Sequence, residues 1–290
     1  MKSVTVAKSA GFCFGVKRAV DLVYEAAEKH PGRVCTIGPI IHNEQVVADL
    51  EEKGVHVIND DLVRVDTGEK ITEDSVIIIR SHGIPKSLMD RVKATGCEII
   101  DSTCPFVRKI HDIVRKKSAE GYHIIIIGNP NHPEVEGIRG WAEGPCTVIK
   151  SREEAESLDL PKDTPLCIVS QTTFNFHNFK ELVEIIEKLG YHVVVTNTIC
   201  NATRERQTEA LELAGRSDAM IVIGGKHSSN TQKLYDICRS QCDNTYYIQT
   251  LDDLVTVNFQ SDSCVGITAG ASTPNKIIQE VFAHVRGTEL

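Results

Sequence analysis

Three of the ten cysteines recur at a spacing that suits a metal site. Cys13 and Cys104 are 91 residues apart, and Cys104 and Cys200 are 96 apart. Each is followed four positions later by a basic residue, namely Lys17, Arg108 and Arg204. Thiolate ligands favour soft or borderline metals. The pattern therefore predicts zinc or an iron–sulfur cluster held by residues from three distant segments.

The neighbours of these cysteines favour the thiolate form. Cys13 lies between Gly11 and Gly15, and Cys104 precedes a proline, a residue common at the first helical position. A cysteine at a helix N-terminus has its thiolate stabilised by the unpaired N–H groups there. A purely structural zinc site usually has a fourth His or Cys ligand, whereas a four-iron cluster on three cysteines leaves one iron without a protein ligand. A substrate oxygen can occupy that position.

The other seven cysteines are expected to be structural. Three lie within strand-like runs and are expected in the core: Cys35, Cys167 and Cys264. Cys97 is an alternative ligand to Cys104 but lacks the helix-opening context. Cys238 and Cys242 are four residues apart, which fits one helix face better than a local pair.

Polar residues follow the cysteines in a common register. His42, His132 and Ser228 lie 29, 28 and 28 residues after their cysteines. A further 40 residues on in each case stand His82, Thr172 and Thr268. Ser228, Ser229 and Asn230 alone suggest a helix cap. Beside three histidines they predict a phosphate or diphosphate pocket made of hydroxyls, amides and backbone N–H groups.

One carboxylate in the register is a candidate proton donor. Glu134 and Glu136 both follow His132 in the segment His132–Gly137. A carboxyl group in a desolvated pocket can deliver protons near neutral pH, because burial disfavours its charged form. We expect Glu134 to be this group and Glu136 to face solvent.

The elements that must position these residues form an α/β pattern. Short β-branched runs alternate with amphipathic stretches, which is typical of parallel sheets. We predict nine strands: 4–7, 34–37, 76–79, 98–100, 124–127, 167–169, 192–195, 220–223 and 264–267. They group into three similar α/β units, 1–103, 104–199 and 200–290. Ligands of such sheets bind beyond the carboxyl ends of the strands. A pseudo-threefold trefoil of the three units would bring the cysteines to one central site.

Composition narrows the class of protein. Lys and Arg total 32 against 40 Asp and Glu, a net charge of −8, which disfavours a nucleic-acid binder. Apolar runs are too short to span a membrane and no export signal is evident, so we expect a soluble, cytoplasmic protein with reduced thiols. No strand is followed by a dinucleotide-binding or Walker A loop. Electrons would therefore come from an external carrier.

Taken in order, the motifs resemble the 4-hydroxy-3-methylbut-2-enyl diphosphate reductase family over essentially the whole chain. The matching segments are Gly11-Phe12-Cys13, Ile41-His42-Asn43, Ser81-His82-Gly83, Thr103-Cys104-Pro105, His132-Pro133-Glu134-Val135-Glu136-Gly137, Gln171-Thr172-Thr173, Ser228-Ser229-Asn230 and Thr268-Ala269-Gly270-Ala271-Ser272.

The resemblance implies an enzyme with a [4Fe-4S] cluster, isolated in some cases as [3Fe-4S], on Cys13, Cys104 and Cys200. It implies reductive dehydroxylation of an allylic diphosphate to isopentenyl and dimethylallyl diphosphates, with electrons from a ferredoxin- or flavodoxin-type donor. The implied diphosphate ligands are His42, His82, Ser228, Ser229, Asn230 and Ser272. His132, Thr172 and Glu134 would surround the substrate hydroxyl, with Glu134 as the proton source. A non-catalytic redox sensor and a zinc-dependent phosphoester hydrolase are the alternatives.

Overall fold

Three parallel sheets of four strands each make up the framework of the protein. A computed structural model of the 290-residue chain describes residues 3–59, 71–254 and 263–287. The strands are β1 (Ser3–Val6), β2 (Val34–Ile37), β3 (His56–Ile58), β4 (Val76–Ile79), β5 (Glu98–Asp101), β6 (His123–Ile127), β7 (Cys146–Ile149), β8 (Pro165–Ser170), β9 (His192–Val195), β10 (Ala219–Ile223), β11 (Thr245–Ile248) and β12 (Cys264–Ala269). The predicted α/β class with three similar sheets is confirmed.

Ten α-helices accompany the strands in the described residues. They are α1 (Phe14–Lys29), α2 (Glu44–Glu52), α3 (Lys86–Ala94), α4 (Pro105–Ala119), α5 (Pro133–Arg139), α6 (Arg152–Glu156), α7 (Phe176–Lys188), α8 (Asn201–Ala214), α9 (Ser229–Arg239) and α10 (Asn275–Arg286). In that part of the chain no helix combines the length and the apolar character needed to cross a bilayer.

The chain divides into two compact units. The first lies within residues 1–17, 42–45 and 200–290, and it contains the sheet of order β1-β12-β10-β11. The second lies within residues 18–41 and 46–199, and it contains the sheets β3-β2-β4-β5 and β7-β6-β8-β9. The boundaries predicted near residues 103 and 199 stay a prediction.

All three sheets share one topology. In each sheet the first strand, which is β2, β6 or β10, pairs with the second strand on one side and with the third strand on the other. The second strand is one edge of the sheet, and the fourth strand pairs with the third and forms the opposite edge. Strand β1 supplies the fourth position beside β12, with Val4 opposite Val265. The sheet of the first unit thus combines the N-terminal strand with three C-terminal strands, whereas each sheet of the second unit is formed by consecutive strands.

The three strands that our prediction did not name are the outer edge strands β3, β7 and β11. They have only three or four residues each, and every one of them has at least two positions that are not fully buried. The strands at the opposite edges, β1, β5 and β9, were predicted although they are equally short and no more buried, so partial burial alone does not explain the omission.

Apolar side chains cover both faces of the central strands. In the β6 sheet, Ile125 and Ile127 pack with residues of α6 and α7, while Ile124 and Ile126 pack with residues of α4 and α5. The β10 sheet alternates in the same way between α10 on one face and α8 with α9 on the other. Each fully buried Ile side chain contributes roughly 1.5–3 kcal/mol relative to exposure. Because helices cover both faces of each of these sheets, polar side chains on the central strands can reach solvent or a ligand only at the ends of the strands.

Candidate active site

The three predicted cysteine ligands occupy equivalent places in their sheets. Each follows the fourth strand: Cys13 comes after β1, Cys104 after β5 and Cys200 after β9. Each directly precedes a helix, and Cys104 and Cys200 are the N-cap residues of α4 and α8. All three are half-buried and none is in a disulfide. A soft thiol donor at a helix N-terminus fits a zinc or iron–sulfur ligand.

Burial disfavours the thiolate form of three of the other seven cysteines, because it raises the pKa of Cys146, Cys167 and Cys238. Burial raises the pKa of Cys146 to about 11 and that of Cys238 to about 12. Cys97 is buried and its thiol donates to the Thr72 carbonyl at 3.4 Å, which gives it a structural role. Cys238 and Cys242 are buried without a disulfide, but α9 ends at Arg239, so the prediction that both lie on one helix face is wrong.

One expectation for the structural cysteines is wrong. Cys35 and Cys167 lie in the core, but Cys264 is exposed. It is the first residue of β12, and the burial of that strand begins only at Val265. Strand-like sequence context therefore does not decide burial at a strand end.

In the second unit a buried carboxylate lies against a threonine. Glu134 is 2% exposed. Its Oε1 accepts the backbone N–H of Thr172 at 2.5 Å, and its Oε2 accepts the Thr172 hydroxyl at 2.7 Å. Glu134 is in the first turn of α5, and Thr172 is the second residue after β8. Glu136, in the same turn, is exposed, so the predicted difference in burial between the two glutamates is observed, and the proton-donor role of Glu134 stays a prediction.

His132 is the N-cap residue of the same helix. Its Nδ1 accepts the backbone N–H of Glu134 at 3.1 Å, and Pro133 occupies the first helical position. An accepting Nδ1 places the proton of a neutral imidazole on Nε2. His132 is therefore preset as an Nε2–H donor. The ring of His82 meets that of His132 edge-on, with centroids 5.5 Å apart, so the structure brings His82, His132, Glu134 and Thr172 together.

In the first unit a group of uncharged polar side chains begins helix α9. Ser228 is the N-cap residue, and its Oγ accepts the N–H of Thr231 at 3.3 Å and the Thr231 hydroxyl at 2.9 Å. With both bonds accepted, the Ser228 hydroxyl proton can point elsewhere. Asn230 is buried and its Nδ2 makes no hydrogen bond in the described residues, while Ser229 is half-buried. An unsatisfied buried amide is what an anion-binding group without its anion would show.

Two glycines make this group possible. A Cβ atom on Gly224 would lie 2.3 Å from the Thr231 hydroxyl oxygen, and one on Gly270 would lie 2.1 Å from it. Thr231 therefore packs between two backbone segments that any larger residue would push away. In the same unit, the Ser272 hydroxyl donates to the His42 carbonyl at 3.1 Å, which brings these two predicted residues together.

The strand registers refine the predicted repeat. His42, His132 and Ser228 each lie five residues beyond the last residue of β2, β6 and β10, so the first polar set is equivalent. The second polar set, His82, Thr172 and Thr268, does not occupy equivalent positions. The paired strand ends are Ile79, Ser170 and Ala269. Thr268 thus lies inside β12, and Ser272 is the residue that matches His82, three positions beyond the strand. The connections between the first and third strands differ in length, so a constant offset of 40 misaligned this set.

Two arginines near the cysteines were not predicted from the sequence, because the only basic residues that recur in it stand four positions after each of these cysteines. There Arg108 forms an exposed ion pair with Asp101 at 2.9 Å, and Lys17 and Arg204 are also exposed. In the second unit, Arg18 donates to the carbonyls of Asp101, Ser102 and Thr103 at 3.3–3.4 Å, in the loop before Cys104.

The second arginine, Arg206, is buried in the first unit. It donates to the carbonyls of Ser9 and Gly11 in the loop before Cys13. Arginines are mostly exposed in proteins, and no sequence signal distinguishes these two from the others.

Known proteins resemble the chain along its whole length. The LytB protein family matches residues 4–286. A 4-hydroxy-3-methylbut-2-enyl diphosphate reductase of Caldanaerobacter subterraneus subsp. tengcongensis is 46% identical over 284 residues, which cover 98% of this chain and 96% of the relative. A protein of the same name from Clostridioides difficile is 44% identical over 283 residues, with 98% and 99% covered.

Solved structures of similar name share the fold. The E-1-hydroxy-2-methyl-but-2-enyl-4-diphosphate reductase of Plasmodium falciparum matches with a TM-score of 0.89 at 28% identity, over 98% of this chain and 87% of that one. An (E)-4-hydroxy-3-methyl-but-2-enyl diphosphate reductase, described as the terminal enzyme of the non-mevalonate pathway, matches with a TM-score of 0.69 at 41% identity, over 99% and 100%. Matches of this extent show that the chain belongs to the LytB family of 4-hydroxy-3-methylbut-2-enyl diphosphate reductases.

Proposed function

We propose that the protein removes the allylic hydroxyl group of 4-hydroxy-3-methylbut-2-enyl diphosphate and forms isopentenyl and dimethylallyl diphosphates. The chain is an oxidoreductase of this family over 98% of its length. The reaction consumes two electrons and two protons: the C–O bond breaks, the oxygen leaves as water, and an allylic carbon gains a hydrogen. The observation that carries the proposal is the buried Glu134, bonded to Thr172 through both carboxylate oxygens.

We propose that Cys13, Cys104 and Cys200 hold a [4Fe-4S] cluster. Their half-buried positions directly before three helices support this, as does the structural placement of Cys97 away from such a position. When bound, the cluster would supply electrons to the substrate one at a time. Loss of an iron would leave a [3Fe-4S] form on the same three thiolates.

The Glu134–Thr172 pair is arranged for proton delivery. In the charged state both carboxylate oxygens accept bonds from Thr172. When Glu134 takes up a proton on Oε2, that oxygen becomes the donor over the same 2.7 Å contact, and the Thr172 hydroxyl proton turns outward. A proton can thus leave through Thr172 while Glu134 replaces it. His132, with its Nε2–H, would donate a hydrogen bond to the substrate hydroxyl.

The diphosphate would be bound by neutral donors. The Ser228 hydroxyl, the Asn230 amide and the first N–H groups of α9 fit an anion, since helix N-termini favour negative charge. We assign His42, His82, Ser229 and Ser272 to the same role. The net charge of −8 then poses no conflict with an anionic substrate, because dipoles and hydrogen bonds provide the attraction.

We propose that a ferredoxin- or flavodoxin-type protein delivers the electrons. The start of α4 offers a surface for such a donor: Phe106, two residues after Cys104, is 45% exposed, and Arg108 and Lys109 beside it are also exposed. Acidic electron carriers are attracted by exposed basic side chains.

An anaerobic preparation tests the proposal. Protein purified without oxygen should be brown and contain iron and sulfide, and it should convert the hydroxylated diphosphate when given a reduced viologen dye. Cys13→Ser, Cys104→Ser and Cys200→Ser should each lose most iron and activity, whereas Cys35→Ser should keep both. A colourless, zinc-loaded and active protein, or equal iron content in all four variants, would contradict the cluster assignment.

A further inference from the structure

Arg206 is a buried cation that the proposed chemistry leaves unused. It lies on α8, six residues after Cys200, and is 3% exposed. A guanidinium group stays protonated in proteins and is costly to bury unless hydrogen bonds and negative charge surround it. A residue of this kind inside the first unit requires a counter-charge.

The bonds of Arg206 tie the helix begun by Cys200 to the loop that carries Cys13. Its Nε and Nη2 donate to the Ser9 carbonyl at 2.9 and 2.6 Å, and Nη2 also donates to the Gly11 carbonyl at 2.7 Å. Cys13 is two residues further on, and its own N–H donates to the Ala271 carbonyl at 3.3 Å. The backbone before Cys13 is therefore held from two sides.

The remaining nitrogen of Arg206, Nη1, is buried and has no hydrogen-bond partner within the described part of the chain. Glu209, on the same helix, is occupied elsewhere, because its carboxylate accepts the N–H groups of Lys8 and Ser9 and the Ser9 hydroxyl. Burial lowers the pKa of Arg206, and the charges that oppose this most are those of Cys13 and Cys200, ahead of Glu209.

We propose that Arg206 is a positioning residue for the cluster: its backbone bonds hold the Cys13 loop, and its charge offsets the charge of the Cys13 and Cys200 thiolates. The inference rests on the proposed cluster site. One-electron reduction makes a cluster more negative by one charge, so a nearby buried cation stabilises the reduced state more than the oxidised state. The Nη1–H group would donate to a sulfur, an interaction that also makes reduction easier.

Two Arg206 variants and a matched control test this role. Arg206→Gln removes the charge, Arg206→Lys keeps the charge but loses the paired bonds, and Arg204→Gln alters an exposed arginine on the same helix. Each protein is purified anaerobically, its iron is counted, and its cluster midpoint potential is measured by a redox titration followed by electron paramagnetic resonance. Circular dichroism checks the fold.

We expect the midpoint potential to move to a more negative value in Arg206→Gln, to move less in Arg206→Lys, and to stay unchanged in Arg204→Gln. An Arg206→Gln protein that folds but loads little iron, with loading restored in Arg206→Lys, would also support the role. Folded, fully loaded variants with an unchanged potential would overturn it, and so would unfolding of both variants, because Arg206 would then serve the fold alone. An unaltered protein without iron would instead contradict the proposed function itself.

Discussion

The starts of helices α5 and α9 occupy the same place in their sheets and carry different chemistry. Each N-cap residue lies five positions beyond the first strand of its sheet, His132 in the second unit and Ser228 in the first. The α5 start presents an imidazole and a buried carboxylate, whereas the α9 start presents hydroxyls and an amide without any charge. Under the proposed function, one scaffold position would serve proton transfer in one sheet and anion binding in another. The side chains, and not the backbone, decide which.

The largest effect on activity should come from a change at Glu134. Glu134→Gln keeps the shape and an acceptor for Thr172 but has no acidic proton, so kcat should fall on the order of 100-fold or more with little change in KM. Steady-state kinetics and iron analysis of the anaerobic protein check this. Glu136→Gln, an exposed change in the same helical turn, should behave like the unaltered protein. Equal turnover in both variants would remove Glu134 from proton delivery.

The next largest effect should come from a change at Thr172, the proposed path of the proton from Glu134. Thr172→Val keeps the N–H bond to Glu134 Oε1 and loses the hydroxyl that contacts Oε2, so the proton path is broken at one atom. We expect kcat to fall by roughly 10- to 100-fold, within the range of general acid catalysis. Thr172→Ser restores the hydroxyl and should recover most of the rate. If valine and serine variants turn over equally, Glu134 acts without Thr172.

A change at the α9 start should alter binding and not the rate. Asn230→Ala removes the buried amide, and a hydrogen bond to a charged group is worth about 1.5–3 kcal/mol, so KM should rise about 10- to 100-fold with kcat nearly constant. Asn230→Asp should raise KM further through repulsion. Gln232→Glu adds the same charge on an exposed position of α9 and should have little effect. A drop in kcat alone would contradict the division of roles between the two helix starts.

The last prediction concerns the pH dependence of stability in the second unit. His111 stacks on Trp141 with ring centroids 5.3 Å apart, and a Cβ on Gly83 would contact its ring. Burial lowers the pKa of His111 from 6.5 to about 4. Between these pH values the unfolded chain binds a proton at this residue and the folded chain does not. The free energy of unfolding should therefore fall as pH drops from 6.5 to about 4, by about 3 kcal/mol in all.

Denaturant unfolding at several pH values measures this dependence. The slope attributable to this residue should vanish in His111→Gln and persist in His192→Gln, which changes an exposed histidine. An unchanged slope in His111→Gln would show that another group causes the loss of stability in acid.

The central strands and helix starts were predictable because their signals are local. Continuous isoleucine and valine runs indicate β4, β6 and β10, and a cysteine followed by proline indicates the start of α4. The edge strands β3, β7 and β11 were not predicted, whereas β1, β5 and β9 at the opposite edges were, although the two groups are similar in length and burial. Thr268 was misaligned with His82 because the connections between strands differ in length, which only the strand registers reveal.

The amino-acid sequence by itself determined the threefold recurrence of strand, cysteine and helix, and the order of polar residues after it, because these depend on periodicity and spacing along the chain. The tertiary structure decided which groups are buried and what they contact. It placed Cys264 at the surface, joined β1 to β12 and buried Arg206 beside the Cys13 loop. Burial and partners depend on residues distant in sequence, so no local pattern could specify them.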